Sequence, residues 1–443
     1  MKQILRPLTG LTAAALMVSL ALTGCGPASR TGTAHTPAGA TSDAAAPAGE
    51  ALELLAPGND TGMYANSYAS DGAGGGRCLR SWIDYATATR TVLCAQPNCT
   101  HDSDACTAWI DPEYSETDYV LGDGMLCAGY GMDGMTLTLR GSDGSDPRGL
   151  YQTADYLVPR MTDGSYLYFE QETADPEGGT ANALCRIPLA GGEAELLFDL
   201  PYQSESDAGL LGCAGREVFL YAFQWGEDPM PERTDGMSQE DYDAALAAWQ
   251  DSQQGSHRVY AKNVDTGAER ELASWTSKIG SAGNTCAMED GTIYLLPDQS
   301  LGALTAIDPV DGKTTTTDVA WPFAVEEDNI YTIAIQGMVE GKLIADVTTL
   351  EGEDRRAAID PADGTAAELK LNYLSNGNVK GIRILGQGDG RLLVCYEQRM
   401  EDAVSVGPDG MTFVGTDVNE RWAMIDNADF LSDTPAYRDI HTP

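Results

Sequence analysis

Positive charge is scarce in this chain of 443 residues. Lys and Arg together number 27 against 67 Asp and Glu, which gives a formal net charge of −40 at pH 7. The long-range field of such an acidic surface repels phosphate backbones and anionic lipid headgroups, so it disfavours nucleic-acid binding and electrostatic adsorption to membranes. Any attachment to a membrane must therefore come from another source.

Histidine is also scarce, and familiar enzyme motifs are missing. Of the 4 His, two lie near the termini, which leaves His101 and His257 in the body of the chain. No Gly-x-Ser-x-Gly sequence occurs, and the Gln-Gly-Ser-His-Arg stretch around His257 predicts a solvated turn. The sequence therefore offers almost no candidate residues for a Ser-His-Asp triad. Residues 129–134 match a dinucleotide-binding pattern, but a strand-like run follows, which predicts a hairpin turn.

The N-terminal segment lacks an apolar run long enough to span a bilayer. The charge-free run from Leu8 to Leu22 is short and follows two cations, as in a signal peptide. It ends in Leu22-Thr23-Gly24-Cys25, which resembles the lipobox of bacterial lipoproteins. We predict that residues 1–24 are a lipoprotein signal peptide and that Cys25 carries the lipid, with a plain secretory signal as the alternative.

The next segment is poor in large apolar side chains. Residues 25–52 comprise Cys25 and then mostly Ala, Gly, Pro, Ser and Thr, a composition typical of a flexible linker. We therefore expect an extracytoplasmic protein anchored to the cell membrane by its lipidated N-terminus, with residues 53–443 forming the folded domain.

The folded part repeats a turn followed by an aromatic or β-branched strand. The turns lie at positions 62, 124, 164, 215, 291, 329 and 390, and an apolar strand ending in an acidic turn recurs at 82–84, 263–267, 306–308, 358–360 and 424–426. This pattern predicts an all-β fold of small repeated sheets. A β-propeller fits best because a closed ring hides the face of every blade. Seven turns favour seven blades, with six or eight blades, a pair of β-sandwiches or an open solenoid as alternatives.

One stretch departs from the repeat. Ser238 and Asp241 have the spacing of a capping box, and the residues that follow at helical spacing are Tyr242, Ala245, Leu246 and Trp249. We predict a small helical insertion at about 226–256 in the fourth blade. Either it overhangs a binding face or it packs its apolar stripe on the flank of the blade.

The most specific cluster of chemically active residues runs from Cys94 to Cys106. Cys94, Cys99, His101 and Cys106 offer three sulfurs and one nitrogen, which is a donor set that tetrahedral zinc accepts. We predict one structural zinc here and no other cofactor, although the spacing matches no common zinc finger. The alternatives are reduced thiols or a disulfide, which an extracytoplasmic address favours.

Three segments together carry a resemblance to a known family. Ile83-Asp84-Tyr85, the Cys94–Cys106 motif and the segment from Ala428 to Tyr437 resemble uncharacterised lipoproteins of anaerobic Gram-positive bacteria, which are similar to propellers of the low-density-lipoprotein-receptor type. The resemblance covers most of residues 59–440 and implies a cell-surface propeller. It implies no activity.

The sequence predicts a binding or protein-interaction module for a carbohydrate, a peptide or a partner protein. Candidate ligand contacts are the loop aromatics Trp225, Trp249 and Trp321, with core packing as the alternative role for each. A polysaccharide-acting glycosidase or lyase and a structural component of envelope assembly are the other two classes. No catalytic residue is assigned, because 67 acidic residues make any search for a carboxylate pair uninformative.

Overall fold

The computed structural model describes residues 50–70, 76–111, 115–174, 180–200, 208–224, 231–234, 236–252, 254–278, 286–296, 301–324, 330–375, 378–406 and 412–442. Their strands form seven antiparallel blades, so the all-β seven-bladed propeller is confirmed. Residues 1–49, which include the predicted signal peptide, Cys25 and most of the linker, lie outside the described residues.

Each blade is an antiparallel meander of four strands. A short strand, β1 (Glu53–Leu54), precedes the ring. Blade 1 contains β2 (Gly58–Asn59), β3 (Gly62–Ser70), β4 (Gly76–Asp84) and β5 (Thr89–Val92), with β6 (Trp109–Ile110) as a second partner of β4. Blade 2 contains β7 (Ser115–Leu121), β8 (Gly124–Gly131), β9 (Gly134–Gly141) and β10 (Arg148–Thr153). Blade 3 contains β11 (Leu157–Thr162), β12 (Tyr166–Ala174), β13 (Thr180–Pro188) and β14 (Glu195–Asp199).

The remaining four blades follow the same plan. Blade 4 contains β15 (Ala208–Ala214), β16 (Glu217–Gln224), helix α1 (Gln239–Ser252), β17 (Gln254–Asn263) and β18 (Glu269–Lys278). Blade 5 contains β19 (Cys286–Glu289), β20 (Thr292–Leu295), β21 (Ala303–Ile307) and β22 (Thr314–Asp318). Blade 6 contains β23 (Ile330–Val339), β24 (Lys342–Thr349), β25 (Asp354–Ile359) and β26 (Ala366–Leu369), and the hairpin of β27 (Asn372–Ser375) and β28 (Asn378–Gly381) follows it. Blade 7 contains β29 (Arg383–Gly388), β30 (Arg391–Val406), β31 (Thr412–Asp426), helix α2 (Asn427–Leu431) and β32 (Arg438–Asp439).

The first strand of each blade lies toward the axis of the ring. Strand β2 contacts β7 and β29, β15 contacts β19, and β19 contacts β23. The fourth strands therefore lie at the rim.

The turns between first and second strands carry the repeat. Their glycines adopt φ values between 54° and 76°, which side chains with a Cβ rarely adopt, at Gly122, Gly164, Gly215, Gly291 and Gly390. Six of the seven predicted turn positions fall at this point of a blade.

The turn predicted at position 329 was assigned one strand too early. That position lies outside the described residues, and the strand after it, β23, is the first strand of blade 6. The equivalent turn is Glu340-Gly341, with φ values of 48° and 71°. A turn followed by a β-branched strand can precede either the first or the second strand of a blade. The pattern alone therefore does not show which of the two strands follows the turn.

The acidic turns between third and fourth strands are held by their own side chains. Oδ1 of Asp308 accepts a hydrogen bond from the backbone N–H of Val310 at 2.8 Å, and Oδ1 of Asp360 accepts one from Ala362 at 2.9 Å. Asp and Asn recur there because their short side chains reach the backbone two residues on.

An apolar cluster fills every joint between neighbouring blades. Six joints contain between six and twelve buried hydrophobic residues each. The joint between blades 1 and 2 contains three among the described residues, Tyr64, Met125 and Cys127. Among the residues that the structure describes, apolar packing is therefore thinnest between blades 1 and 2.

The C-terminal segment closes the ring against blade 1. The backbone N–H of Arg90 donates to the carbonyl of His441 at 2.7 Å, and the N–H of His441 donates to the carbonyl of Ala88 at 2.9 Å. Gly388 passes so close to blade 1 that a Cβ there would lie 2.3 Å from the carbonyl oxygen of Asp60. The last blade is thus joined directly to the first.

The N-terminal segment crosses the inner ends of three blades before blade 1 begins. Leu52 donates its N–H to Gly215 of blade 4, β1 pairs with β11 of blade 3, and Ala56 accepts from Val120 of blade 2. Leu52 is 5% exposed, so ordered contacts begin within the end of the sequence assigned to the linker.

The insertion in blade 4 contains the expected helix. The N–H of Asp241 donates to Oγ of Ser238 at 3.1 Å, and the half-buried residues of α1 include the whole predicted stripe, Tyr242, Ala245, Leu246 and Trp249. Helix α1 contacts β18, as the flank-packing alternative expects. Strand β17 begins at Gln254, so residues 254–256 belong to the sheet and not to the insertion. No helix in the part of the chain that the structure describes is long and apolar enough to cross a bilayer.

Candidate functional site

The predicted metal ligands lie on a loop that interrupts the rim strand of blade 1. Strand β5 ends at Val92 and β6 begins at Trp109, and both pair antiparallel with β4. The backbone of Arg80 closes the base of the loop, because its carbonyl accepts from Leu93 at 3.0 Å and its N–H donates to Ala108 at 2.8 Å. Residues 93–108, the Cys/His loop, therefore leave and rejoin the sheet at one point of β4.

Contacts across the Cys/His loop fold it inward. The N–H of Ala95 donates to Oγ1 of Thr107 at 2.9 Å, and Nε2 of Gln96 donates to the carbonyl of Ala105 at 2.6 Å. Asn98 and His101 adopt φ values of 58° and 55°, a region that Asn and His enter more readily than most residues.

The four predicted side chains converge. The sulfurs of Cys94, Cys99 and Cys106 and a ring nitrogen of His101 all lie within 4.8 Å of one another. Nδ1 of His101 is 3.2 Å from Sγ of Cys106. Tetrahedral zinc with Zn–S bonds of about 2.3 Å requires donor separations of about 3.8 Å, so these side chains could hold such an ion with little movement.

The thiols of the described residues are unbridged. All nine cysteines other than Cys25 carry no disulfide, so the disulfide alternative is not the arrangement in this structure. Among the cysteines in strands, Cys127, Cys185 and Cys395 are buried and Cys213 is half-buried.

Proton affinity differs between two thiols of the loop. Burial opposes ionisation of Cys94, but hydrogen bonds from the backbone of Gln96 and from neighbouring side chains outweigh it and lower the pKa of this thiol. Burial raises the pKa of Cys106, and hydrogen bonds shared with Cys94 and Cys99 raise it further. Cys94 and Cys106 therefore differ in how readily each loses its proton to become a thiolate, which is the form that binds a metal.

A buried guanidinium links the Cys/His loop to blade 2. Arg80 is 1% exposed, and its Nη1 donates to the carbonyl of Trp109 at 2.9 Å. The same side chain forms ion pairs with Glu116 and Asp118 of β7. Glu116, Asp118 and Cys127 also lie within 4.8 Å of one another, but Arg80 already pairs with both carboxylates. We therefore interpret this second cluster as a structural ion pair.

A cleft of about 710 Å³ opens between blades 1 and 2, where the apolar packing is thinnest. Blade 1 contributes one face of its sheet, from Tyr64, Trp82, Asp84, Thr89 and Thr91. Blade 2 contributes Val120, the turn at residues 122–124 and Ser142, and Leu93 of the Cys/His loop also lines the cleft. Its volume lies within the range of small-molecule sites, about 300–1,000 Å³.

Other residues singled out in the sequence lie elsewhere. Trp225 is outside the described residues, Trp249 belongs to the stripe of α1, and Trp321 packs on Phe323 with ring centroids 5.8 Å apart. The prediction of a solvated His257 was wrong: this side chain is 3% exposed. The error arose because the insertion ends earlier than expected, and the sheet places His257 among aromatic rings on adjacent strands.

Trp82 is the residue that the site search in the sequence missed. It begins the Trp82-Ile83-Asp84 copy of the strand-and-acidic-turn repeat, so its position at the end of a third strand was visible. Its place in a cleft was not, because the opposite wall comes from another blade.

No family model matches the chain, and no curated protein matches it. Among solved structures, a prolyl endopeptidase is similar over 86% of this chain and 55% of its own length, with 11% identity and a TM-score of 0.46. TolB from Acinetobacter baumannii has 11% identity over 84% of this chain and 77% of its own, with a TM-score of 0.32. An oligogalacturonate lyase in complex with manganese has 11% identity over 86% of this chain and 84% of its own, with a TM-score of 0.37. The chain spans little more than half of the prolyl endopeptidase, and likeness this remote carries no functional argument.

Proposed function

We propose that the protein is a lipid-anchored, extracytoplasmic propeller that acts as a binding module. Its ligand is a carbohydrate, a peptide or a partner protein. The cleft between blades 1 and 2 is the observation that carries this proposal, because it combines an aromatic ring with several polar groups in a volume suited to a ligand. The membrane anchor rests on Cys25 and the lipobox-like sequence before it.

The same proposal assigns a structural zinc to Cys94, Cys99, His101 and Cys106. Four protein donors complete a tetrahedral shell and leave no position for a substrate, as in structural zinc sites. The ion would brace the Cys/His loop beside the cleft. Native and denaturing intact masses of protein purified without oxygen test this, because one zinc should be present only in the native mass.

The binding function is tested on the full-length protein in detergent. Neutral and acidic polysaccharides are incubated with the protein, and both retention on the polysaccharide and release of reducing sugar are measured. We expect retention without bond cleavage. Release of reducing sugar would instead identify a glycosidase, unsaturated products would identify a lyase, and surface cross-linking to envelope proteins without glycan retention would favour an assembly component.

A further inference from the structure

The wall of the cleft that blade 1 forms has one continuous surface. Trp82 pairs with Thr91, and Asp84 pairs with Thr89. Because side chains of a strand alternate between its faces, residues 82 and 84 of β4 share the face of residues 89 and 91 of β5. An indole, two hydroxyls and a carboxylate therefore stand side by side along the cleft.

The indole is held in place before any ligand arrives. Tyr64 meets Trp82 edge to face, with ring centroids 4.8 Å apart and an interplanar angle of 70°. A Cβ at Gly62 would lie 2.6 Å from Cε2 of Trp82, so only glycine lets the ring lie this close to β3. Trp82 is half-buried and still lines the cleft, which makes it a fixed apolar platform.

The polar groups around Trp82 suit a ligand with many hydroxyls. Oδ1 of Asp84 accepts hydrogen bonds from both the N–H and Oγ1 of Thr87, which hold the carboxylate in place beside the cleft. The hydroxyls of Thr91 and Ser142 can each donate and accept, and the hydroxyl of Thr89, which donates to the carbonyl of Thr87 at 3.4 Å, can still accept. Sugar rings offer the complement, since they carry O–H groups at their edges and C–H groups on their faces.

Charge restricts the ligand further. The residues that line the cleft include Asp84 and Asp123 and, among those described, no Lys, Arg or His. Phosphates and uronates would therefore meet these carboxylates with no cation among the lining residues to attract them. We propose that this cleft binds a neutral oligosaccharide, with the sugar stacked on Trp82 and its hydroxyls bonded to Asp84 and Thr91. This assignment rests on the proposed binding function and adds the site and the ligand class.

The test measures binding of neutral hexasaccharides to full-length protein by titration calorimetry. The probes are β-1,4-linked glucose, xylose and mannose and α-1,4-linked glucose, with polygalacturonate as the anionic comparison and hexalysine as the basic peptide. At least one neutral hexasaccharide should bind. Trp82→Ala should weaken it by about tenfold or more, as loss of a central aromatic contact does. Thr91→Val keeps the β-branched shape and removes one hydroxyl, so it should weaken binding by about two- to tenfold.

Two control variants match these substitutions outside the cleft. Thr315→Val alters an exposed threonine in the rim strand of blade 5, and Trp275→Ala removes a half-buried tryptophan from the rim strand of blade 4. Both should bind like the unmodified protein. If a hexasaccharide binds but neither cleft variant weakens it, the site is wrong and the binding function stands. If only hexalysine binds, the ligand class is wrong. If the protein cleaves a hexasaccharide into shorter products, it is an enzyme and the binding function is wrong. If none of the probes binds, the oligosaccharide assignment is wrong.

Discussion

Removal of zinc should loosen the Cys/His loop and leave the propeller folded. The proposed ion ties Cys94 to Cys106, while the hydrogen bonds of Arg80 fix the base of the loop without it. In the chain-entropy model, a cross-link over a loop of this length lowers the entropy of the open loop, which raises the free energy of opening by about 3 kcal/mol. Since 1.4 kcal/mol is a factor of ten, protection of the loop amides against hydrogen exchange should fall about a hundredfold on chelation.

Hydrogen exchange read by mass spectrometry measures this effect peptide by peptide. The variants His101→Asn and Cys99→Ser should reproduce the chelated pattern, and Asn suits position 101 because it tolerates the φ of 55° there. Cys213→Ser is the matched control, since this half-buried thiol lies in blade 4 and contacts the carbonyl of Leu52. Its zinc content and loop exchange should equal those of the unmodified protein.

Two outcomes would refute a structural zinc in this loop. One is a metal-free protein whose loop amides are already protected and do not respond to added zinc. The other is chelation that exposes β4 and β8 together with the loop, because the geometry confines the metal to residues 93–108 at the rim.

Two further predictions concern closure of the ring and its acid stability. Gly388→Ala should lower the melting temperature, because a Cβ 2.3 Å from a backbone oxygen forces blades 7 and 1 apart at a cost of about 1–3 kcal/mol. Gly149→Ala is the control: a Cβ there has no neighbouring atom within 4 Å, so the melting temperature should stay the same. Equal thermal transitions would contradict this. Burial opposes ionisation of Asp163, but hydrogen bonds from Arg216 and from nearby groups outweigh it and lower the pKa of this carboxyl. Its stabilisation is therefore complete above the unfolded pKa of about 3.9 and is lost as the pH falls through the lower folded value. Asp163→Asn should be less stable than the unmodified protein in urea at pH 7, and the difference should shrink below about pH 4.

The repeat could be predicted because its chemistry is local. A turn that needs positive φ favours glycine, and a turn capped by its own side chain favours Asp or Asn. Both preferences are visible in the sequence without knowledge of distant contacts. Blade 6 shows the limit of this approach. Its turn uses Glu340 instead of Asp or Asn, and the nearest matching pair lay one strand upstream.

The candidate metal ligands were visible for the same reason, since Cys94 to Cys106 form one short segment. The cleft and the environment of His257 depend on partners distant in sequence. Nδ1 of His257 is 2.6 Å from the hydroxyl of Tyr221, and its ring stacks on Trp275 at 4.9 Å, both on neighbouring strands. Such contacts follow from strand register, which a single sequence does not supply.

Metal and sugar should influence each other, because Leu93 lines the cleft and directly precedes Cys94. If loss of zinc loosens the loop, the wall that Leu93 forms loosens too, and the affinity for the hexasaccharide should fall. Coupling between sites of this kind is about 1–3 kcal/mol, or about 5- to 150-fold. Linkage requires that bound sugar raise the affinity for zinc by the same factor. The ratio of sugar affinities measured by calorimetry with and without zinc must therefore equal the ratio of zinc affinities measured by chelator competition with and without sugar. Sugar affinity that is unchanged after chelation would mean that Arg80 alone holds Leu93 in place and that the two sites are independent.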